Sequence, residues 1–266
     1  MARKVRLDAE LVRRGLARSR EQASALIVAG QVVVSGQAAA KPATQVGQDA
    51  AIVVRDSQDD PAYASRGGHK LAGALAAFAG LAVRDRRCLD AGASTGGFTD
   101  VLLRAGAAHV VAADVGYGQL AWSLREDRKV TVLDRVNVRN LRPEQVAPAP
   151  ELVTADLSFI SLSQVLPALA GCAAADADFV LLVKPQFEVG RGRVGAGGVV
   201  RDPALRAEAV QAVAGSALGL GLGVSGVTAS SLPGPAGNVE YFLWLRRDAP
   251  PLDLADLERA IAEGPQ

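Results

Sequence analysis

Two lysines and two carboxylates stand where an α/β chain can bring them together. Lys184 ends the apolar run 179–183, which has the composition of a strand buried on both faces. Asp156 ends "LVTAD", Glu240 opens "EYFLWL", and Lys70 lies in "SRGGHKLAGAL". Such a set could accept or donate a proton, because burial and neighbouring charges change how readily a lysine keeps its proton.

Lys184 alone has two interpretations. In the first, the strand reaches water at this point and the lysine stem extends outward. In the second, Lys184 lies at the C-terminal end of a parallel strand, where open α/β sheets bind their ligands. The surrounding elements decide between the two.

The elements that must position these residues alternate between strand and helix. Strand patterns fall at 86–91, 109–115, 130–134, 152–157, 179–185, 224–230 and 240–246. Helical patterns fall at 68–79, 97–105, 117–127, 163–173 and 203–219. This alternation predicts a doubly wound parallel sheet covered by helices on both faces. The segment 230–238 fits no crossover helix, so the seventh strand is predicted to be antiparallel.

A glycine-rich loop follows the first strand of this sheet, in "CLDAGASTGGFTDVLL" (88–103). Gly92, Gly96 and Gly97 allow a tight turn and a close approach of the backbone to a ligand. The spacing differs from the dinucleotide pattern G-x-G-x-x-G. Asp90, just before the loop, would repel a pyrophosphate and suits a ligand with a cationic amino group. A plain strand-to-helix turn is the alternative.

The next two strands strengthen the ligand interpretation. Asp114 ends the second strand, about twenty residues past the loop, where an acid can accept both ribose hydroxyls of a nucleoside. The segment "LDRVN" (133–137) ends the third strand, where an adenine ring would lie, and Asp134 and Asn137 could border that ring. The candidate cofactor-binding residues are Asp90, Gly92, Ser94, Thr95, Gly96, Gly97, Phe98, Asp114, Asp134, Asn137 and Asp156.

Residues 1–56 read as a separate, basic domain. Seven basic side chains and two acids lie within residues 1–20, which indicates a polyanionic partner or a solvated helix face. The pattern predicts helices at 6–17 and 19–30, the second with Ser19 as N-cap and Gly30 as its stop, and strands at 31–37 and 50–54. The pieces "R-L-D", "S-R-x-x-A" and "G-x-V-x-V-x-G" resemble an S4-type RNA-binding module.

The order Lys70, Asp156, Lys184, Glu240 resembles the K-D-K-E tetrad of FtsJ-type ribose 2′-O-methyltransferases. The matching segments are "SRGGHKL", "DAGASTGGFTD", "ADLSFISL", "LVKPQFE" and "GNVEYF". With the S4-like front end, the whole chain is similar to the TlyA family, also called haemolysin-like. That resemblance implies a seven-stranded Rossmann-like class I methyltransferase domain at 65–266, joined to the α+β S4-like domain (1–56) by a linker at 57–64.

The resemblance further implies S-adenosylmethionine as cofactor and the 2′-hydroxyl of cytidine in ribosomal RNA, 23S and in some members 16S, as substrate. Lys184 is then the expected proton acceptor, with Asp156 and Glu240 orienting it and Lys70 holding the hydroxyl or a phosphate. Phe159 and Phe187 are expected either to stack on the target base or to pack in the core. The residues expected to contact RNA are Arg3, Lys4, Arg6, Arg13, Arg14, Arg18, Arg20, Arg66 and Arg135.

The remaining features bound the cellular setting. The chain has 266 residues, is 49% hydrophobic and carries a net charge of +1, which fits one medium and one small domain. Its two cysteines have no metal-type spacing, and we expect no metal site. Neither a signal peptide nor a membrane-spanning run is evident. We therefore expect a cytoplasmic monomer that acts on rRNA or ribosomal subunits without an obligate protein partner.

Three other functions compete with this one. An S4-bearing pseudouridine synthase would need a catalytic Asp in "R-L-D-x-x-T-S-G", which "RLDAELVRRG" lacks. A pore-forming haemolysin would need membrane-spanning runs or the alternating strands of a barrel. An RNA-binding protein with an inactive methyltransferase domain would bind the cofactor without turnover, and the intact tetrad argues against it.

Overall fold

The computed structural model describes residues 4–17, 19–28, 30–35, 37–39, 41–47, 50–54 and 62–264. The chain divides into two compact units, Met1–Ala62 and Tyr63–Gln266. Of the linker predicted at 57–64, residues 57–61 lie outside the described residues.

The N-terminal unit combines two short helices with short antiparallel strands. Its elements are β1 (Lys4–Arg6), α1 (Leu7–Arg13), α2 (Arg20–Val28), β2 (Val32–Val34), β3 (Gln37–Ala38), β4 (Gln45–Gly47) and β5 (Ile52–Val54). The strands form one pair, β1–β4, and one sheet in the order β3-β2-β5. Leu7, Leu11 and Ile27 are fully buried between them.

The predicted start of α2 is confirmed, since the Ser19 hydroxyl accepts the Gln22 N–H at 3.1 Å. Gly30, past the end of α2, has a φ of 71°, a value that suits glycine. Strands β1 and β4 were not predicted. Each is three residues long, too short for an apolar alternation to stand out.

The second unit is built on a seven-stranded sheet. Its strands are β6 (Arg87–Ala91), β7 (His109–Ala113), β8 (Val130–Leu133), β9 (Leu152–Ala155), β10 (Asp178–Val183), β11 (Leu222–Ala229) and β12 (Tyr241–Arg247). They lie in the order β11-β12-β10-β9-β6-β7-β8. The last strand, β12, is antiparallel to both of its neighbours, as predicted, while β6 to β10 are parallel.

Helices cover both faces of this sheet. They are α3 (Gly67–Ala77), α4 (Gly97–Arg104), α5 (Trp122–Arg125), α6 (Pro143–Val146), α7 (Leu162–Cys172), α8 (Pro185–Glu188), α9 (Pro203–Leu218) and α10 (Leu254–Glu263). In β10, Phe179, Leu181 and Val183 face the core that includes α7 and α9. Val180 and Leu182 face the opposite core, which includes α3 and α4.

Several elements of this unit differ from the sequence prediction, and among them the short helix α6 was not predicted. The helix expected at 117–127 is limited to α5, because residues before it form a loop in which the Ala121 N–H donates to Thr95 O at 3.2 Å. Pro185 begins α8 rather than ending the strand, since proline fits the first turn of a helix. Helix α10 was missed, although Asp253 is a recognisable N-cap whose carboxylate accepts the Ala255 N–H.

No helix in the described part of the chain has both the length and the apolar character needed to cross a lipid bilayer.

A buried carboxylate fixes the end of the sheet away from the glycine loop. Asp178 accepts the indole N–H of Trp244 at 2.7 Å and a guanidinium N–H of Arg86 at 2.5 Å. Arg246 lies 3.1 Å from the same carboxylate. Removing this acid would leave a buried indole N–H without its acceptor and two arginines without their counter-ion.

Asp178→Ala is therefore expected to lower the free energy of unfolding by about 2–4 kcal/mol. Urea unfolding followed by tryptophan fluorescence measures the change, because Trp244 contacts the altered position. The control is Asp176→Ala, which removes an exposed aspartate two residues away. Equal stabilities of the two variants would show that the buried cluster has no such role.

Candidate active site

The alternation of the sheet places three of the four charged candidates on one face. Leu152 in β9, Leu182 in β10 and Phe242 in β12 all lie in the core that includes α3 and α4. Counting in steps of two along each strand leads to Asp156, Lys184 and Glu240. These residues therefore leave the ends of three adjacent strands on the side where α3 carries Lys70.

Lys184 lies against Asp156 at the mouth of the sheet. Its Nζ is 2.5 Å from Asp156 Oδ1 and donates to the Ser158 hydroxyl at 3.2 Å. The Lys184 side chain is buried, and Pro185 starts α8 directly after it. A lysine that extends into solvent is thus not what the structure shows, and the first interpretation of Lys184 is wrong.

Lys70 and Glu240 form the second ion pair. Lys70 Nζ donates to Glu240 Oε2 at 2.6 Å, and both side chains are buried. Gly234 makes room for the carboxylate, since a Cβ there would lie 2.6 Å from Glu240 Oε1. Lys70 lies on α3, and Gly67 lies at the start of that helix. A Cβ on Gly67 would lie 3.7 Å from Asp156 Oδ2, so α3 lies near both ion pairs.

The glycine loop lies beside these pairs. Gly92 has a φ of 88°, and a Cβ there would lie 2.5 Å from the carbonyl oxygen of Asp156. A Cβ on Gly97 would collide with the Ser65 hydroxyl. The loop therefore approaches β9 and the segment before α3 more closely than any other residue type would allow.

Asp90 lies under this loop with one oxygen unsatisfied. The residue is 0% exposed, and the Thr99 hydroxyl donates to its Oδ2 at 2.6 Å. Its Oδ1 has no hydrogen-bond partner among the described residues. Burial raises the pKa of the Asp90 carboxyl to about 7. An unsatisfied buried acceptor at a glycine loop fits a ligand with cationic N–H donors.

Three other predicted cofactor residues each have a partner within the protein. Asp114 holds the loop, because its carboxylate accepts the N–H groups of Ser94 at 2.8 Å and Gly116 at 2.7 Å. Asp134 forms an ion pair with Arg125. Asn137 caps the following turn by accepting the Arg139 N–H at 3.0 Å.

Phe98 was also predicted to bind the cofactor, but its ring is in the core. The centroid lies 6.0 Å from that of Phe242, and the side chain is buried. Only the backbone of Phe98 is left to face a ligand. Thr95 is exposed, and its carbonyl holds the loop before α5.

The predicted RNA-contacting residues lie in both units. In the second unit, Arg66 is exposed at the start of α3, and the Arg135 guanidinium lies 4.3 Å from the centroid of the Tyr117 ring. In the first unit, Lys4 is exposed. Arg6 and Arg20 pair with Asp8, and Arg13 and Arg14 pair with Glu10. Arg3 and Arg18 lie outside the described residues.

Two residues near the ion pairs were not among the sequence candidates. Ser158 contacts Lys184, and its position two residues past Asp156 is the one signal that could have identified it. Glu188 accepts the Ser161 hydroxyl at 2.6 Å and the Leu162 N–H at 2.9 Å, which joins α8 to the start of α7. No sequence pattern indicates a contact between Ser161 and Glu188, which are 27 residues apart.

Phe159 is the most exposed large apolar side chain near the ion pairs. It is 91% exposed and has a φ of 64°, which is rare for an aromatic residue. Its ring centroid lies 5.2 Å from that of Phe187. Of the two alternatives for Phe159, core packing is wrong. Within the described part of the chain, no cluster of His, Cys, Asp or Glu could hold a metal ion.

Comparison with known proteins gives two family matches. Residues 63–247 match the FtsJ-like methyltransferase family, and residues 5–52 match the S4 domain. The chain is 65% identical to the 16S/23S rRNA (cytidine-2′-O)-methyltransferase TlyA of Mycobacterium tuberculosis, with full coverage of both chains. It is 42% identical to YqxC of Bacillus subtilis, named as an rRNA methyltransferase, over 92% of this chain and 86% of that one.

A solved structure from Streptococcus thermophilus, named for a hemolysin, has the same fold. Its TM-score is 0.77 at 37% identity, and the match covers 99% of this chain and 96% of that one. The similarity therefore extends across both units in sequence and in structure.

The raised pKa of Asp90 predicts a pH-dependent stability. In the unfolded chain the carboxyl loses its proton near pH 4, whereas in the folded protein it keeps the proton to about pH 7. Stability is then lost as the pH rises through this window. Relative to Asp90→Asn, the wild type should lose about 3 kcal/mol of unfolding free energy between pH 5 and pH 8.

Urea unfolding of both proteins at several pH values measures this difference. Glu126→Gln, which alters an exposed carboxylate, is the control and should follow the wild-type curve. Parallel curves for wild type and Asp90→Asn would contradict the raised pKa.

Proposed function

The chain belongs to the FtsJ-like methyltransferase family, and on that premise we propose that it transfers a methyl group from S-adenosylmethionine to the 2′-hydroxyl of a cytidine in ribosomal RNA. The observation that carries the proposal is the meeting of two ion pairs beside the glycine loop. Lys184 lies 2.5 Å from Asp156, and Lys70 lies 2.6 Å from Glu240. The 65% identity to TlyA over the full chain supports the substrate class.

The residues present fit the cofactor. Asp90, with its unsatisfied oxygen, would hold the amino group, and the backbone around Gly92 would lie against the methionine end. Asp114, at the end of β7, would accept the ribose hydroxyls. When bound, S-adenosylmethionine supplies an electrophilic methyl group.

Lys184 is the proton acceptor in this proposal. As the bond from the substrate oxygen to the methyl carbon forms, the bond from that carbon to the sulfonium sulfur would break. Lys184, after giving up the proton that it holds in its ion pair with Asp156, would take the proton of the hydroxyl group. The ammonium so formed is stabilised by Asp156 at 2.5 Å, while the Ser158 hydroxyl fixes the direction of Nζ. General-base help of this kind contributes about 10²–10⁴-fold to the rate.

Lys70 has a different role from Lys184 and does not accept the proton. Its charge is balanced by the buried Glu240, and the pair lies on the side of α3 that faces the strand ends. Lys70 would donate a hydrogen bond to the ribose or to a neighbouring phosphate. Glu240 holds it there, since an unpaired lysine at this depth would be strongly disfavoured.

Phe159 would stack on the target base. A ribose hydroxyl can reach Lys184 only if its nucleotide leaves the helical stack, and an exposed aromatic ring beside the site can hold the displaced base. The ring contact with Phe187 keeps Phe159 close to the start of α8.

The S4 unit would supply most of the RNA contacts that do not depend on sequence. Arginines on α1 and α2 can contact phosphates, and such contacts weaken as salt increases. A ribosomal substrate also implies action in the cytoplasm. We further propose that the protein acts as a monomer without an obligate protein partner.

Lys184→Ala is expected to lower methyl transfer by at least about 10²-fold, because it removes the proton acceptor. The measurement is transfer of labelled methyl from S-adenosylmethionine to purified ribosomal subunits and to deproteinised rRNA. Lys129→Ala, which removes an exposed lysine, is the matched control and should keep wild-type activity. Cofactor affinity, measured by calorimetry, should change little in either variant.

Near-full activity of Lys184→Ala would show that this lysine is not the base. Wild type that binds the cofactor yet labels no RNA would sink the substrate class. That second result would favour an RNA-binding protein with an inactive methyltransferase domain.

Phe159→Ala is expected to lower kcat/KM for RNA by about 5–150-fold, since a base stacked on an aromatic ring contributes roughly 1–3 kcal/mol. Phe159→Trp should retain most of the activity. Because the side chain is 91% exposed, neither change should alter the unfolding midpoint or cofactor affinity. Unchanged kcat/KM in Phe159→Ala would exclude the stacking role.

A further inference from the structure

A buried acid on α1 of the S4 unit pairs with two arginines. The Asp8 side chain, on α1, is 4% exposed, while those of Arg6 and Arg20 are 46% and 60% exposed. Arg6 ends β1 and Arg20 begins α2, so Asp8 joins three elements. On a surface that binds a polyanion, an acid here is unfavourable unless it serves the arginines.

Every acceptor direction of Asp8 is used. Its Oδ1 accepts Nε of Arg6 at 3.0 Å and the N–H of Ala9 at 2.8 Å. Its Oδ2 accepts Nη2 of Arg6 and Nη2 of Arg20, each at 2.9 Å. An ionised carboxylate offers about four such sites. A ligand approaching from solvent therefore meets guanidinium N–H groups rather than carboxylate oxygens.

The carboxylate remains charged at neutral pH. The hydrogen bonds from Arg6 hold the pKa of Asp8 below its usual range, although burial opposes them. Two guanidinium groups thus share one anion, and the trio keeps a net charge of +1. The pairing with Arg6 is bidentate, which fixes the plane of that guanidinium as well as its position.

Glu10, two residues further along α1, is paired in a similar way. Its side chain is 1% exposed and pairs with Arg13 and Arg14. The Arg14 Nη1 also donates to Ala50 O at 2.7 Å, which ties this guanidinium to the segment before β5. The same combination, one buried acid and two arginines, therefore occurs twice on one helix.

We propose that Asp8 is a positioning residue that holds Arg6 and Arg20 in a fixed arrangement for the phosphates of an RNA backbone. Free arginine side chains lose much rotamer freedom when they bind a phosphate, whereas Arg6 and Arg20 have already lost it in the free protein. The inference rests on the proposed function in that the polyanion is RNA.

The test is whether Asp8→Asn raises or lowers the affinity for RNA. Asp8→Asn removes a negative charge from an RNA-binding face, so electrostatics alone predicts tighter binding. Positioning predicts the opposite, because an amide has a single acceptor oxygen and its NH2 group would face an N–H donor, so the bidentate pairing with Arg6 is lost. We expect Asp8→Asn to weaken binding of the full chain to deproteinised large-subunit rRNA by about tenfold.

Glu21→Gln is the matched control. Glu21 is exposed on α2 next to Arg20, so its neutralisation makes the same change in net charge in the same unit. It is expected to tighten RNA binding or leave it unchanged. Binding of Asp8→Asn that is as tight as wild type or tighter would overturn the proposal.

A second comparison separates positioning from folding. In an Arg6→Gln/Arg20→Gln background, Asp8→Asn should weaken RNA binding no further, since the groups it positions are gone. An equal loss in that background would mean that Asp8 acts through the stability of the unit, and the proposal would be wrong. Circular dichroism at the assay temperature checks that each variant is folded.

Wild-type behaviour keeps the two proposals apart. Failure of the wild type to bind or methylate any RNA would count against the proposed function. Wild type that binds RNA, with Asp8→Asn binding equally well, would count against the positioning role of Asp8 alone.

Discussion

Charges cannot be buried singly, and this constraint organises the candidate active site. Lys70 and Glu240 are both buried and contact each other at 2.6 Å, although 170 residues separate them in the chain. For that contact to form, α3 must lie across the ends of the strands. Gly234 gives the Glu240 carboxylate its space, because a Cβ there would lie 2.6 Å from Glu240 Oε1. The burial of the Glu240 carboxylate thus leaves no room for a side chain at position 234.

The alternation of side chains along the strands determines where the other charged residues lie. A residue two positions past the last inward-facing side chain of a strand must leave on the same face. Asp156, Lys184 and Glu240 obey this rule on β9, β10 and β12, all three adjacent in the sheet. The site is therefore a property of strand register. A one-residue slip of β10 would turn Lys184 to the opposite side, where α7 and α9 pack.

Much of this could be predicted from the sequence, because long apolar runs and a glycine loop mark the sheet and its ligand edge. The convergence of the charged residues also follows from periodicity. Which lysine pairs with which acid does not, since that depends on where α3 crosses the sheet. The contact between Glu188 and Ser161 depends on the turn of α8. Strands β1 and β4 carry too few residues for a pattern to exist.

The two units differ in how many basic side chains surround each buried carboxylate. At the candidate active site each acid meets one lysine, which cancels the charge and leaves groups suited to moving a proton. In the first unit Asp8 and Glu10 each meet two arginines, so charge remains for an external anion. Salt should therefore act mainly through the first unit, because exposed charges are screened far more than buried pairs. Binding of RNA and the chemical step are then separable by ionic strength, and each unit contributes through a distinct arrangement of the same kinds of side chain.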